Sequence, residues 1–129
     1  MISTTFSPTV LIAIAAGGAS GAVLRYLISV KFAQLLGEGF PWGTLVVNAV
    51  GSLLIGLFIG LLQTRSLDGD LWRPLLVVGL LGGLTTFSTF SLETVSLIQR
   101  DQWVLALCYS GASLLGCIAL TFLGFKIAQ

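Results

Sequence analysis

The sequence predicts an all-α membrane protein with four transmembrane helices in one chain. Hydrophobic residues make up 56% of its 129 residues and charged residues only 9%, whereas charged residues are about a quarter of a soluble protein. Four apolar segments, at residues 9–31, 42–63, 74–99 and 103–125, are each near the roughly 20 residues that a helix needs to cross the hydrocarbon core. Because the turns between them are short and polar, residues 1–129 are expected to form a single transmembrane domain.

The first segment, from Thr9 to Lys31, is predicted to be a retained helix. It is longer than the apolar region of a signal peptide, and no basic stretch precedes it. Arg25 is the only cation within a span and is expected near the end of this helix. Its side chain either snorkels to the interface or forms an electropositive vestibule that attracts anions.

The other three helices are each expected to begin at a tryptophan. Trp42, Trp72 and Trp103 stand at the starts of the later segments, and indole rings favour the headgroup level. Pro41 and Pro74 lie beside the first two, where the missing N–H of proline costs nothing.

Glycine pairs spaced by four residues predict close packing between helices, because two glycines on one face let backbones approach. The pairs are Gly17 and Gly21, Gly56 and Gly60, and Gly79 and Gly83.

Several classes of function have no support in the sequence. The net charge is +1, with no basic cluster, which argues against a nucleic-acid partner. The chain has no histidine, and no pattern pairs a nucleophile with a base, so an enzyme is not expected. Cys108 and Cys117 are nine residues apart within the fourth segment and point to different faces, which favours packing residues over a disulfide.

The cationic residues leave the orientation in the membrane open. Lys and Arg bias in short loops sets topology, yet the two sides carry nearly equal numbers. Either the translocon resolves a weak bias, or the chain inserts both ways and two copies pair antiparallel. One side carries Arg65, Arg73 and Lys126, and the other carries Lys31 and Arg100, with Arg25 inside the first span.

Polar residues recur at helical spacing within three of the apolar segments, where every polar group needs a partner or a polar path. On the second helix Thr44, Asn48 and Ser52 form one stripe. Asn48 either joins helices through a hydrogen bond or offers its two N–H donors to an anion. On the fourth helix Tyr109, Ser113 and Cys117 again step by four.

The third helix has the densest polar face and is expected to be broken near its middle. Gly82 and Gly83 precede Thr85, and a break there would free backbone carbonyls that can coordinate a monovalent cation. Phe87 and Phe90 occupy an adjoining face. The polar residues of this helix are Thr85, Ser88, Thr89, Glu93 and Ser96.

Uncharged donors along a membrane path favour anion conduction, because a full positive charge would hold the ion too tightly to release it. Two alternatives stay open. In a proton-coupled exporter Glu93, the only acidic residue in a span, would relay protons. In a non-transporting assembly subunit the polar residues would only join helices.

Three motifs, in order on three helices, resemble the Fluc (CrcB) fluoride channels over essentially the whole chain. They are Gly17-Gly18 with Gly21-Ala22-x-x-Arg25-Tyr26, then Gly43-Thr44-Leu45-x-Val47-Asn48-x-x-Gly51, then Gly79-x-x-Gly82-Gly83-x-Thr85-Thr86-Phe87-Ser88-Thr89-Phe90.

The resemblance implies an antiparallel, dual-topology homodimer with two fluoride-selective pores, which lets cytoplasmic fluoride escape across a bacterial inner membrane. By position, Phe87 and Phe90 correspond to the aromatic pair of the pores and Asn48 to the polar residue at the bottleneck. Arg25 corresponds to the vestibule cation. The backbone carbonyls of Gly82 and Thr85 correspond to the ligands of a structural sodium ion at the dimer centre. The polar track corresponds to Ser88, Thr89, Glu93, Tyr109 and Ser113.

One position departs from the family pattern. The stripe on the fourth helix can continue with a second serine in the family, and this chain has Cys117 there.

Overall fold

A computed structural model describes residues 6–65 and 70–129. Four helical stretches in it are long and apolar enough to cross a membrane, which confirms the predicted all-helical, multi-pass membrane protein. They are Pro8–Leu36, Trp42–Thr64, Arg73–Gln99 and Trp103–Ile127. The turn predicted between the second and third segments falls largely outside the described residues.

The spans divide into six helical elements. The first, second and fourth spans are each a single α-helix, whereas the third span contains several elements. The elements are α1 (Pro8–Leu36), α2 (Trp42–Arg65), a π-helix (Arg73–Leu81), α3 (Gly82–Leu84), α4 (Phe87–Gln99) and α5 (Trp103–Ile127). As predicted, α2 and α5 begin at tryptophan and the third span begins directly after Trp72.

Helix α1 is longer than the sequence indicated. It was expected to end at Lys31, with Arg25 near that end, but it continues to Leu36. It stops at Gly37, whose φ of 79° is accessible to glycine, and the Gly37 N–H donates to the Ala33 carbonyl. Arg25 therefore lies about three turns inside the helix.

The third span changes backbone conformation twice. The wide π-helical turns up to Leu81 pass into the single α-turn of α3. Thr85 (φ −83°, ψ 155°) and Thr86 (φ −153°, ψ 124°) then have extended backbone before α4 begins at Phe87. These two residues stand between helices at the depth of a transmembrane segment.

The predicted glycine contacts hold the helices together in two pairs. Helix α1 packs on the π-helix and α3, and α2 packs on α5. A Cβ atom at Gly17 or Gly21 would meet the backbone of the third span, and one at Gly56 would meet the Thr121 carbonyl of α5. Each neighbouring backbone can approach this closely because the glycine has no side chain.

Among the described residues, two buried apolar clusters involve the third span, one near its middle and one near its C-terminal end. One joins Val47 of α2 to Leu81 and Leu84, and the other joins Leu97 of α4 to Ala106 and Tyr109 of α5. The polar residues that the sequence singled out lie between these clusters and around the second one.

Candidate functional site

Asn48 of α2 pairs with the extended backbone of Thr86. Its Nδ2 donates to the Thr86 carbonyl at 3.0 Å, and its Oδ1 accepts the Thr86 N–H at 2.8 Å. The amide thus acts as the helix-joining residue that was one of its two predicted roles. The NH₂ group has two N–H donors, and only one of them is bonded within the described residues.

The extended backbone of Thr85 and Thr86 redirects two hydrogen bonds that a continuous helix would form. In an uninterrupted α-helix the Thr86 N–H would donate to the Gly82 carbonyl and the Thr89 N–H to the Thr85 carbonyl. Instead the first donates to Asn48 and the second to the Thr86 hydroxyl, at 3.2 Å. The carbonyls of Gly82 and Thr85 are therefore released from these two intrahelical donors.

The Thr86 hydroxyl caps the N-terminus of α4. Besides accepting the Thr89 N–H, it lies 3.1 Å from the Thr89 hydroxyl and 3.3 Å from the Ser88 hydroxyl. Ser88 is exposed and Thr89 half-buried. Two of the predicted polar-track residues are thus organised around a third hydroxyl at the helix start.

Glu93 joins three helices through a chain of hydrogen bonds. The buried Thr44 of α2 donates to Glu93 Oε1 at 2.8 Å, and the buried Tyr109 of α5 donates to Glu93 Oε2 at 2.6 Å. A carboxylate within a membrane span needs such partners. The cluster brings together two residues predicted for the pathway, Glu93 and Tyr109, with Thr44 from the predicted stripe.

Aromatic rings extend this cluster in one direction. The Phe90 ring lies 5.2 Å from the Tyr109 ring and 5.3 Å from the Phe87 ring, both tilted by 54°. Phe90 is half-buried, whereas Phe87 is 75% exposed. The predicted phenylalanine pair is therefore in contact, and its outer member lies on the surface of the chain.

A cavity of about 400 Å³ lies beside this pair and is called the large cavity below. Leu114 and Ile118, both mostly exposed, form part of its rim together with Phe87, so the cavity opens at the surface of the chain. The residues predicted for function that line it are Asn48, Gly82, Thr85, Phe87, Phe90 and Ser113.

The polar stripe of α5 also reaches the large cavity. Ser113 is only 7% exposed, and its Oγ has no hydrogen-bond partner among the described residues. Cys117, one turn farther along α5, lines the same cavity. Ser113 thus lies in the wall of the cavity with a buried hydroxyl that lacks a protein partner among the described residues, which is rare for a buried polar group.

A second cavity, of about 220 Å³ and called the small cavity below, lies beside Thr44 and Glu93. Thr44 and Glu93 line it, together with Arg100, which follows α4, and Glu38, which lies in the turn between α1 and α2. Two members of the hydrogen-bonded cluster, Thr44 and Glu93, thus line the small cavity, and Phe90, which packs on the third member, Tyr109, lines the large cavity. The structure does not bring Arg25 to them: neither cavity has it among its lining residues within the described part of the chain.

Comparison with known proteins gives these features a context. Residues 12–125 match the family described as CrcB-like protein, Camphor Resistance (CrcB). The chain is 46% identical over 121 residues to a protein of Nitrobacter winogradskyi named fluoride-specific ion channel FluC, covering 94% of this chain and 96% of that one. It is 49% identical over 114 residues to a protein of the same name from Shewanella amazonensis, covering 88% and 91% of the two chains.

The chain belongs to the CrcB family. The resemblance seen in the three motifs is thereby confirmed. Because the family is one of ion channels, the prediction that the protein is not an enzyme is confirmed as well.

The sequence patterns of this CrcB family member did not predict the roles of two threonines. The Thr86 carbonyl accepts from the Asn48 amide, and the Thr86 N–H donates to it. The Thr44 hydroxyl donates to the Glu93 carboxylate. A threonine directly before a helical segment is a recognised N-cap signal, and it is the signal that could have identified Thr86. The pairing of Thr44 with Glu93 joins two helices 49 residues apart in sequence, and no local pattern specifies it.

Proposed function

We propose that this protein is a passive, fluoride-selective ion channel that lets fluoride leave the bacterial cytoplasm across the inner membrane. The observation that carries the proposal is the similarity, over nearly the whole chain, to proteins named fluoride-specific ion channel. Hydrogen fluoride enters cells as a neutral acid and ionises inside, so a passive leak for the anion is sufficient for resistance.

The ion pathway runs from the small cavity, past the Glu93 cluster, to the large cavity. Thr44 and Glu93 line the small cavity, and Asn48, Phe90 and Ser113 line the large one. Tyr109 connects the two, because it donates to Glu93 and packs against Phe90. In this proposal these polar groups form one wall of the route along each chain.

The donors on this route are uncharged in the large cavity. The second N–H of Asn48 and the hydroxyl of Ser113 can each replace a water of the hydrated anion. Phenylalanine rings add the positive edge of their quadrupole when an anion approaches edge-on. None of these groups binds an anion as tightly as a buried lysine or arginine, so the ion can leave as well as enter.

The functional unit is an antiparallel homodimer with two pores, formed by chains inserted in opposite orientations. Asn48 and Ser113 line a cavity whose rim includes the exposed Phe87. Lipid cannot satisfy such polar groups, so protein must cover the opening, and a second copy supplies the covering surface. Nearly equal numbers of cations on the two sides agree with insertion in both directions.

A structural sodium ion at the centre of this dimer is part of the proposal. Carbonyl oxygens are suitable ligands for a monovalent cation. The residues present fit that role, because the carbonyls of Gly82 and Thr85 lose their intrahelical donors and both residues line the large cavity. The break in the third helix would then serve to present these two carbonyls, and the bound ion would supply a fixed positive charge that holds the two copies together.

Fluoride efflux from liposomes tests the proposal. The purified protein is reconstituted with internal fluoride, an ionophore carries the balancing potassium, and chloride is measured in parallel. We expect rapid efflux of fluoride and little of chloride. A well-folded protein that releases no fluoride would contradict the channel.

Two variants, each with one phenylalanine replaced by isoleucine, test the route. Phe90→Ile is expected to lose most of the efflux, because it removes the ring that lines the large cavity and packs on Tyr109. Phe122→Ile, at a position of α5 that is 64% exposed, is the matched control and is expected to conduct normally. Equal efflux from both variants would exclude the proposed route.

A proton-coupled exporter predicts a different pattern. Its flux would depend on the pH gradient, saturate at ordinary turnover rates and stop in Glu93→Gln. A channel instead conducts down the fluoride gradient with no proton movement, and the same liposomes with a pH dye distinguish the two.

A further inference from the structure

The small cavity is lined by charged side chains of both signs, although the proposed anion pathway runs through it. Two of its lining residues are carboxylates, Glu38 and Glu93, and one is a cation, Arg100. The large cavity has no charged lining residue within the described chain. An anion on the proposed route therefore meets charged groups of the cavity walls only in the small cavity.

The two carboxylates oppose the entry of an anion. Both oxygens of Glu93 accept hydrogen bonds, one from Thr44 and the other from Tyr109, as the ionised form of a carboxylate does. Glu38 is exposed in the turn between α1 and α2 and adds a second negative charge. Because like charges repel, a cavity with these two carboxylates alone would disfavour fluoride.

Arg100 lies on the wall of the small cavity in a tight connection between two helices. Only three residues join α4, which ends at Gln99, to α5, and the Gln102 N–H donates back to the Leu97 carbonyl at 2.9 Å. The Arg100 Nε donates to the Ser96 carbonyl at 3.2 Å, which holds the guanidinium against the last turn of α4. Its two terminal nitrogens make no hydrogen bond within the described residues, so their positive charge faces no fixed protein acceptor there.

We propose that Arg100 is a specificity-determining residue of the channel, whose positive charge offsets the carboxylates of the small cavity and so admits anions to the pathway. This role rests on the proposed fluoride channel. A cavity of about 220 Å³ is about 7 Å across, and a unit charge about 7 Å away in water changes the local concentration of a monovalent ion about threefold. Salt screens this effect, because the Debye length falls from about 30 Å at 0.01 M to about 3 Å at 1 M.

Fluoride efflux from liposomes at low and high ionic strength tests this role. The fluoride concentration is kept subsaturating, and a salt of an impermeant anion sets the ionic strength at about 0.01 M or about 1 M. The readout is each protein's efflux rate at low salt divided by its own rate at high salt, which does not depend on the amount of active protein. Relative to the original protein, this ratio is expected to fall about threefold in Arg100→Gln and to rise about threefold in Glu38→Gln.

Two variants distinguish charge from structure at this position. Arg100→Lys keeps the positive charge, and Arg100→Gln combined with Glu38→Gln restores the net charge of the cavity. Both are expected to have the ratio of the original protein. A merely structural role of Arg100 would leave the ratio unchanged in every variant and would give the double variant no recovery.

Lys31→Gln is the matched control. Lys31 is exposed on α1, belongs to the same side of the membrane as Arg100, and is not among the residues that line the small cavity. Its replacement is expected to change the ratio much less. An Arg100→Gln ratio no lower than that of Lys31→Gln, or no recovery in the double variant, would overturn the role of Arg100 alone. An original protein that released no fluoride at either ionic strength would overturn the proposed channel and this role with it.

Discussion

Replacing Asn48 by alanine tests whether the paired contact with Thr86 holds the extended segment in place. The change removes the bonds of 3.0 and 2.8 Å that join the amide to the Thr86 carbonyl and N–H. Both backbone groups then lie without a partner at membrane depth, where water does not replace the lost bonds.

The size of the effect follows from which groups are left unpaired. Hydrogen bonds between side chains of membrane helices are worth only about 0.6 kcal/mol on average. Here two backbone groups are stranded, and each buried, unsatisfied group costs about 1–3 kcal/mol. We therefore expect Asn48→Ala to lower the free energy of unfolding by about 2–6 kcal/mol and also to slow fluoride efflux, because the free N–H donor is lost.

Ser52→Ala is the matched control for this experiment. Ser52 lies one turn farther along the same stripe and lines the same cavity, but it makes no hydrogen bond to Thr86 within the described residues. Unfolding in mixed micelles with increasing dodecyl sulfate, followed by circular dichroism, measures both variants. If Asn48→Ala unfolded at the same detergent fraction as Ser52→Ala, the proposed role of the Asn48 contact would be wrong.

Two further substitutions test the Glu93 cluster and the helix packing. Tyr109→Phe removes the 2.6 Å hydrogen bond to Glu93 while keeping the ring, and we expect slower fluoride efflux from liposomes. Tyr26→Phe, at an exposed tyrosine, is the control and is expected to conduct normally. Equal efflux rates for the two variants would argue against a role of the Glu93 cluster in conduction. Gly21→Ala places a methyl group against backbone of the third span, which cannot move away as a side chain would, whereas the same change at Gly111 meets nothing within 4 Å. Thermal unfolding in detergent is expected to show a loss of about 1–3 kcal/mol for the first and little change for the second, and similar stability of the two would contradict the packing.

Hydropathy and helix signals were sufficient for the four spans, because bilayer thickness fixes the length of a spanning helix. The tryptophans at positions 42 and 103 marked helix starts correctly. The end of α1 was misjudged because Lys31 was taken as the boundary, while Gly37 is the residue whose backbone conformation stops the helix. A helix can continue through a charged residue near the membrane interface, because the long side chain reaches the headgroups. A glycine at positive φ, in contrast, ends the helix.

The sequence predicts which faces of the helices carry the candidate residues, but it does not predict their contacts. Helical spacing placed Thr44 and Asn48 on one face of α2, and it gave the register of Tyr109 and Ser113 on α5. It could not tell that Thr44 bonds to Glu93 while Asn48 bonds to a backbone. Those pairings depend on how far each helix is rotated and shifted against its neighbours, which the packing of glycines decides.

The pairing of Asn48 with Thr86 also constrains how the chain enters the membrane. The two extended threonines present backbone groups that lipid cannot satisfy, so the third span is not stable in this conformation by itself. Helix α2, which carries Asn48, precedes the third span in the chain and is therefore synthesised before it. Biogenesis therefore requires these neighbours to meet early, and a substitution at Asn48 would be felt during insertion, before any ion has crossed the finished protein.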